Sequence, residues 1–221
     1  AGVQLDYLAA GSGSLTLAPA VRASLEVSPL DMKVSAGVTG GRHLNSLYDM
    51  KRLNHFYLRQ TGPDASRDKI DFYGGLQGRI GQAFQYDLKG GYAFRAGSPL
   101  DSPEYGLGFA DYRQAYAELK MLWLSERLKS GADLHFSDVQ FDSPAGVYEP
   151  AMFSGELRLT YNWMKRVFAG LAVQGASSRS AAASELPDIR GYVDLGLYGE
   201  YRIDRMWGVW AHAGNLACMK I

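Results

Sequence analysis

One cysteine, Cys218, is the only thiol in the sequence, so there is no intrachain disulfide, no dithiol redox motif and no cysteine-based zinc site. Long hydrophobic runs are missing as well. Nothing approaches the roughly 18 uninterrupted apolar residues of a membrane helix, so a chain like this can cross a bilayer only with strands. Neither sign of charge prevails: 23 Lys and Arg face 23 Asp and Glu, no basic cluster stands out, and nucleic acid is not the expected partner. Helical signals are nearly absent, and the one candidate, residues 45–59, lacks a capping box and reads as loop. The opening Ala1-Gly2-Val3 has no leader-like basic segment with an apolar core, and a processed or partial product is expected.

What the sequence has instead is alternation. In Phe84-Gln85-Tyr86-Asp87-Leu88-Lys89-Gly90-Gly91-Tyr92-Ala93-Phe94-Arg95, every second residue is apolar or glycine and the intervening ones are mostly polar. That is a strand with one greasy and one charged side. The pattern recurs in segments of about ten residues, the length a tilted strand needs to span a bilayer. It predicts strands near 2–9, 14–28, 31–42, 69–80, 83–96, 111–124, 127–138, 151–163, 165–176, 190–203 and 205–216.

The connections alternate in length. Short links fall near 28–31, 81–83, 124–126, 162–165 and 203–205, and long ones near 43–68, 97–110, 139–150 and 177–189. Up-and-down hairpins would gather all short links at one end and all long ones at the other, as in outer-membrane barrels. A mean hydropathy of −0.19 does not oppose this, because lumen-facing polar residues dilute the average. The expected fold is all-β: an antiparallel up-and-down transmembrane β-barrel, or a large portion of one, with about 11–12 strands in a single domain over residues 1–221 and no plug domain visible.

Sorting by parity tests the idea, since a lipid-facing wall should carry almost no charge. One face collects Val34, Phe72, Leu76, Leu88, Leu119, Leu134, Leu157, Leu171 and Leu197; the other collects Lys33, Asp71, Asp87, Lys89, Glu118, Lys120, Asp133, His135, Glu156, Arg158 and Asp194. Only Arg113 breaks the rule, and it is expected at a strand end beside a long connection. Trp123, Trp163 and Trp207 fall on the apolar face within about two residues of short turns, where an aromatic girdle belongs.

Chemistry-bearing constellations are weak. None of His43, His55, His135 and His212 has a partner at metal-ligand spacing, and neither a metal nor a cofactor is expected. His135 beside Asp133 and Ser137 is the nearest approach to a catalytic set, and spacing of two means only a shared strand face, so no enzyme is expected. Gly11-Ser12-Gly13-Ser14 lacks the following helix and lysine of a phosphate cradle and reads as a turn. Solute contacts are expected in the long connections at Tyr48, His55, Phe56, Tyr57, Asp101 and Tyr105, and along the lumen at Asp87, Lys89, Glu118, Lys120, His135 and Arg158. Opposite signs two apart, as in Asp87 and Lys89, Glu118 and Lys120, or Glu156 and Arg158, are expected to satisfy one another.

The segments IDFYGGLQGRIGQAFQYDLKGGYAF and GYVDLGLYGEYRIDRMWGVWAHAGNL resemble the carboxyl-terminal barrel strands of TonB-dependent outer-membrane receptors of the Bacteroidetes type. Gly214-Asn215-Leu216 matches a Gly-Asn-Leu-Leu-Asn sequence common in that family, with Ala217-Cys218 replacing Leu-Asn, and VSAGVTGGRHLNSLYDM is similar to its Gly-rich strand and outer loop. The resemblance implies residence in the bacterial outer membrane, uptake of a small solute and an energising TonB-type periplasmic partner. Two other readings stay open: a small plugless porin-like or accessory barrel, and a soluble β-barrel holding an apolar ligand inside.

Overall fold

The computed structural model describes residues 2–8, 14–55, 57, 65–102, 106–143, 146–182, 187–204 and 206–217. All eleven expected strands are present: β1 (Gly2–Leu8), β2 (Ser14–Val27), β3 (Met32–Leu44), β4 (Ala65–Ile80), β5 (Phe84–Ser102), β6 (Gly106–Leu124), β7 (Leu128–Phe141), β8 (Phe153–Trp163), β9 (Val167–Ala176), β10 (Tyr192–Arg202) and β11 (Gly208–Ala213). They form one sheet in strict sequence order, every neighbour antiparallel. Among the described residues β1 and β11 do not pair with each other, so the sheet is an open portion of a barrel wall.

Two expectations need correction. The expected long connection at 97–110 is largely strand, because β5 runs on to Ser102 and β6 restarts at Gly106. The pairing shifts between Arg95 and Ser98, where Gly97 takes φ +58, and this bulge breaks the two-residue period that reveals a strand. Residues 47–53 form a helix, α1 (Leu47–Leu53), where loop was expected. Its cap is Ser46, whose Oγ accepts from the Asp49 N–H at 3.2 Å, with the Asp49 carboxylate in the first turn. An aspartate thus stands where a capping box usually has Glu or Gln.

The register fixes the tilt. Glu26, Lys33, Gln77, Asp87, Lys120, Asp133, Glu156, Gln174 and Asp194 oppose one another in an unbroken row across nine strands. The row starts one residue before the end of β2 and finishes eight before the end of β10. That stagger corresponds to strands leaning roughly 30° from the barrel axis, close to the usual range of barrels.

The two faces differ as the parity predicts. Leu25, Leu88, Leu157, Leu197 and Val209 are all exposed, as large apolar side chains splaying from a convex wall should be. On the opposite face Ala18 and Ala93 are buried and polar side chains converge. A trough of about 1030 Å³ on that face, near the short turns, is lined by Lys33, Gln77, Arg79, Asp87, Lys120, Asp133 and Arg158. The apolar face is therefore the outer one, the reverse of what a soluble barrel with an apolar interior requires. Trp123, Trp163 and Trp207 are exposed on the outer side at the short-turn rim.

Leu119 sits four residues above Trp123 on the outer face, well inside the apolar band. Leu119→Arg is expected to lower unfolding free energy in a bilayer by about 2–4 kcal/mol, while Glu118→Gln, one residue along on the polar face, stays within about 0.5 kcal/mol. Urea unfolding of the two variants in lipid vesicles measures the difference.

Candidate functional site

Above the wall, the outer connections fold onto one another around Asp101 near the top of β5. The Asn54 side-chain amide, just past α1, donates to Asp101 Oδ1 at 3.2 Å and to the Gly106 carbonyl at 3.3 Å. Arg179, in the β9–β10 connection, donates from Nη1 to Asp101 Oδ2 at 3.3 Å and from Nε to the Glu149 carbonyl at 2.9 Å. Its guanidinium lies 5.8 Å from the Tyr148 ring, and the Tyr148 hydroxyl donates to the Pro187 carbonyl at 3.3 Å. Val147 is 1% exposed and seats against Gly108, where an added Cβ would fall 2.2 Å from a Val147 methyl. With Ala110 and Tyr112 it makes a small apolar core under the connections. The result is a cap tied by one carboxylate to segments far apart in sequence.

The expected outer residues divide accordingly. Tyr48 is 76% exposed on α1 and His55 is exposed just beyond it, so both face whatever approaches from outside. Tyr57 is buried, and both Asp101 oxygens are committed within the cap, which makes these two structural members of it. Phe56 and Tyr105 lie outside the described residues. Arg179, Asn54 and Tyr148 were not legible from sequence. Arg179 sits in a Ser- and Ala-rich stretch with no periodicity, and its partner Asp101 is 78 residues away.

On the concave face the row residues come together as the register dictates: Asp87 opposes Lys120, Lys89 opposes Glu118, and Glu118 opposes His135. Opposition does not make them ion pairs. The Lys89 ammonium lies over the Tyr73 and Tyr116 rings, at 5.3 and 5.4 Å from their centroids. The Tyr116 hydroxyl donates to Asp71 at 3.0 Å. Both rings lie flat over glycine: a Cβ at Gly37 would meet the Tyr73 ring at 2.6 Å, and one at Gly91 the Tyr116 ring at 2.7 Å. Of the three same-strand pairs expected, Glu156 and Arg158 pair, whereas Asp87 with Lys89 and Glu118 with Lys120 are absent from the ion pairs among the described residues. Higher up, Asp68 accepts from His43 at 3.0 Å and lies 3.6 Å from Arg95. Ser137 accepts from the Gln114 amide at 2.7 Å and opposes Tyr116, with no hydrogen bond to His135 among the described residues. No cluster of three or more metal-type ligands occurs among the described residues.

These elements define the wall of an up-and-down transmembrane β-barrel with a polar concave face and a knitted outer cap. No family model matches the sequence, and no curated protein does. Solved structures do. The ferric yersiniabactin uptake receptor FyuA from Yersinia pestis matches with TM-score 0.69 at 12% identity over 93% of this chain and 33% of its own. The siderophore receptor PiuA from Acinetobacter baumannii gives 0.68 at 7% over 96% and 34%. The copper transporter OprC gives 0.65 at 17% over 93% and 34%. The similar solved structures are TonB-dependent outer-membrane receptors, whose barrels share this fold, and the chain spans about a third of their length.

Two outcomes follow for the cap. Asp101→Ala removes one acceptor from each of Asn54 and Arg179 and is expected to weaken the cap by roughly 1–3 kcal/mol, read as faster protease cleavage of the outer connections with the barrel intact. Burial pushes the Glu149 carboxyl above the ordinary carboxylate range, and Asp138 and Asp188 add to it. A raised folded value favours the protonated form in the folded cap. The stabilisation is full below the ordinary carboxylate value and is lost as pH rises through the folded one. The protection of residues 146–152 relative to free amides at the same pH is expected to fall in the parent as pH rises above the ordinary carboxylate range, and Glu149→Gln to flatten that fall.

Proposed function

We propose that this chain is a barrel-wall portion of a TonB-dependent receptor in the bacterial outer membrane, working as a transporter that binds a small solute outside and passes it inward with an energising TonB-type periplasmic partner. One observation carries the reading: an eleven-stranded up-and-down sheet, apolar outside and charged inside, that follows the receptor barrels over more than nine-tenths of its length.

Strand parity supports a larger wall. With eleven antiparallel strands, β1 and β11 run the same way, so direct closure between them would be parallel. An unpaired edge in hydrocarbon costs several kcal/mol per orphaned group. An odd number of further strands restores an all-antiparallel closed wall. Two copies of this sheet in the same orientation would join edges running alike and cannot. A plugged barrel of about 22 strands would make this sheet roughly half of it.

The solute contacts proposed are Tyr48 and His55 on the cap, with the lumen groups Asp87, Lys89, Glu118, Lys120, His135 and Arg158 below. The relatives in structure are a copper transporter and receptors for ferric chelates, so a ferric catecholate and cupric ion are the first probes. In cells producing the full-length protein, iron-55 catecholate or copper uptake is expected to stop when the inner membrane is de-energised. Uptake at an unchanged rate would instead indicate a passive porin-like barrel. For whichever probe is taken up, Tyr48→Ala and His55→Ala are each expected to raise Kd about fivefold, near 1 kcal/mol, without altering barrel assembly.

A further inference from the structure

High on the wall, β4 and β5 each carry one residue too many, and a single carboxylate holds both bulges. In β4 the extra residue is Lys69, between Asp68 and Ile70; in β5 it falls between Arg95 and Ser98, where Gly97 takes φ +58. A bulge leaves its extra N–H without a ladder acceptor. Asp111, at an outward position of β6, supplies one: its Oδ1 accepts from the Gly97 N–H at 2.8 Å, and its Oδ2 accepts from the Lys69 ammonium at 3.3 Å. The Asp111 carbonyl in turn accepts from the Asp142 N–H, just past β7, at 3.1 Å. One residue of β6 thus links β4, β5 and the end of β7.

The two links are unequal. The Lys69 and Asp111 side chains are both nearly half exposed, and an ion pair in water contributes little. A backbone N–H given to a carboxylate is the stronger kind of bond, and the one from Gly97 is partly buried. The hold on the β5 bulge is therefore the one that matters.

That bulge decides what the wall presents above it. Residues 98–102 of β5 and 106–110 of β6 run on as a two-stranded ribbon. The extra residue inverts parity there, so Ser98 and Leu100 turn inward: Ser98 is buried, and Leu100 packs on the core of Ala110, Tyr112 and Val147. Asp101 takes the opposite parity, and on it converge Arg179 and Asn54, the residue that ends α1. Through Asn54 the ribbon is tied to α1, which bears Tyr48, with His55 just beyond. The angle at which the ribbon leaves the wall therefore sets where those side chains stand relative to the lumen groups below.

We propose that Asp111 is a positioning residue for solute binding: its carboxylate clasps the two bulges, fixes the direction in which the β5–β6 ribbon leaves the wall, and so places Tyr48 and His55 over the lumen. The inference rests on the solute contacts proposed above. Arg113 offers a contrast two residues away on the same strand. It is matched with Phe94 in the interior of β6, which corrects its expected place at a strand end, and its ion pair with Asp142 at 3.2 Å lies outside both bulges.

The test uses the full-length protein in mild detergent, with its native thiols, Cys218 among them, replaced by serine and folding confirmed by resistance to SDS without heating. Nitroxide labels are attached at Lys51→Cys on α1 and Leu134→Cys on the outer side of β7, both exposed positions, and their separation is read by double electron–electron resonance. The parent is expected to give one narrow distance. Asp111→Ala is expected at least to double the width of that distribution and, without labels, to raise about fivefold the Kd of whichever probe, ferric catecholate or cupric ion, the parent takes up. Asp111→Asn keeps an acceptor for the Gly97 N–H and is expected to stay within twofold of the parent in both readings, as is Arg113→Gln. An unchanged width in Asp111→Ala, an unchanged Kd beside a broadened distance, or an equal effect in Asp111→Asn or Arg113→Gln would overturn the proposal. If Asp111→Ala does not fold, Gly97→Ala, which strains the left-handed backbone from the other side of the clasp, is measured in its place with the same two effects expected, and their absence counts against the clasp. A parent that binds neither probe would instead sink the transport reading, and the distance alone would then decide whether Asp111 holds the ribbon.

Discussion

The rest of the structure depends on one constraint: inside hydrocarbon, every backbone N–H and C=O must find a partner on a neighbouring strand. That requirement explains why the chain spends its length on continuous ladders and why its tight links are as short as three residues. It also explains the tolerance for glycine in mid-strand. Gly37 and Gly91 keep their ladder bonds while giving Tyr73 and Tyr116 room to lie across the sheet, and the rings cover the gap that a missing side chain would leave.

Register turns this backbone demand into geometry. Because opposed residues share a face, one choice of pairing sets the position of every side chain, and a slip of one residue would carry Asp87, Lys120 and Glu156 into lipid together. The cost of such an error is what pins the pairing. The same register tilts the strands, so the charged row does not girdle the lumen at one level but climbs from the short-turn end at β2 toward the cap at β10. Charges that look equivalent by parity therefore occupy different depths. Asp87, Lys120 and Arg158 border the low trough, whereas Glu156, on the same row as the first two, stands higher.

Much of this was legible in the sequence because membrane strands are read by a rule that has few exceptions. All eleven strands and the sorting of the two faces follow from a period of two. The sequence misleads where that period is interrupted: the extra residue of β4 between Asp68 and Ile70, which shifts its pairing with both β3 and β5, and the one in β5 between Arg95 and Ser98 each displace parity by one, and the ends of β4, β5 and β6 read as loop. The helix α1 escaped because seven residues display too little periodicity, and its Ser46 and Asp49 cap was not recognised. The cap around Asp101 is beyond such reading altogether. Its contacts join residues 47 and 78 positions apart, and nothing local to Asn54 or Arg179 announces the partner.

The division of labour between wall and cap follows from the same physics. On the outer face, substitution is limited to apolar side chains of varying size, so that surface can record little beyond its own depth in the membrane. Among the described residues, charges such as Arg67, Lys69 and Arg113 enter it toward the outer ends of β4 and β6. On the concave face charge is permitted, but neighbouring groups such as Lys89 and Tyr116 largely answer one another. Above the membrane neither limit holds: backbone can be irregular, side chains of any kind can be exposed, and long-range contacts such as Asp101 with Arg179 fix their arrangement. Under the transport reading proposed above, discrimination between solutes falls to elements such as α1, where Tyr48 is exposed while Met50 is buried and Ser46 holds the first turn. The uniform wall beneath supplies the rigid frame from which those few side chains are presented.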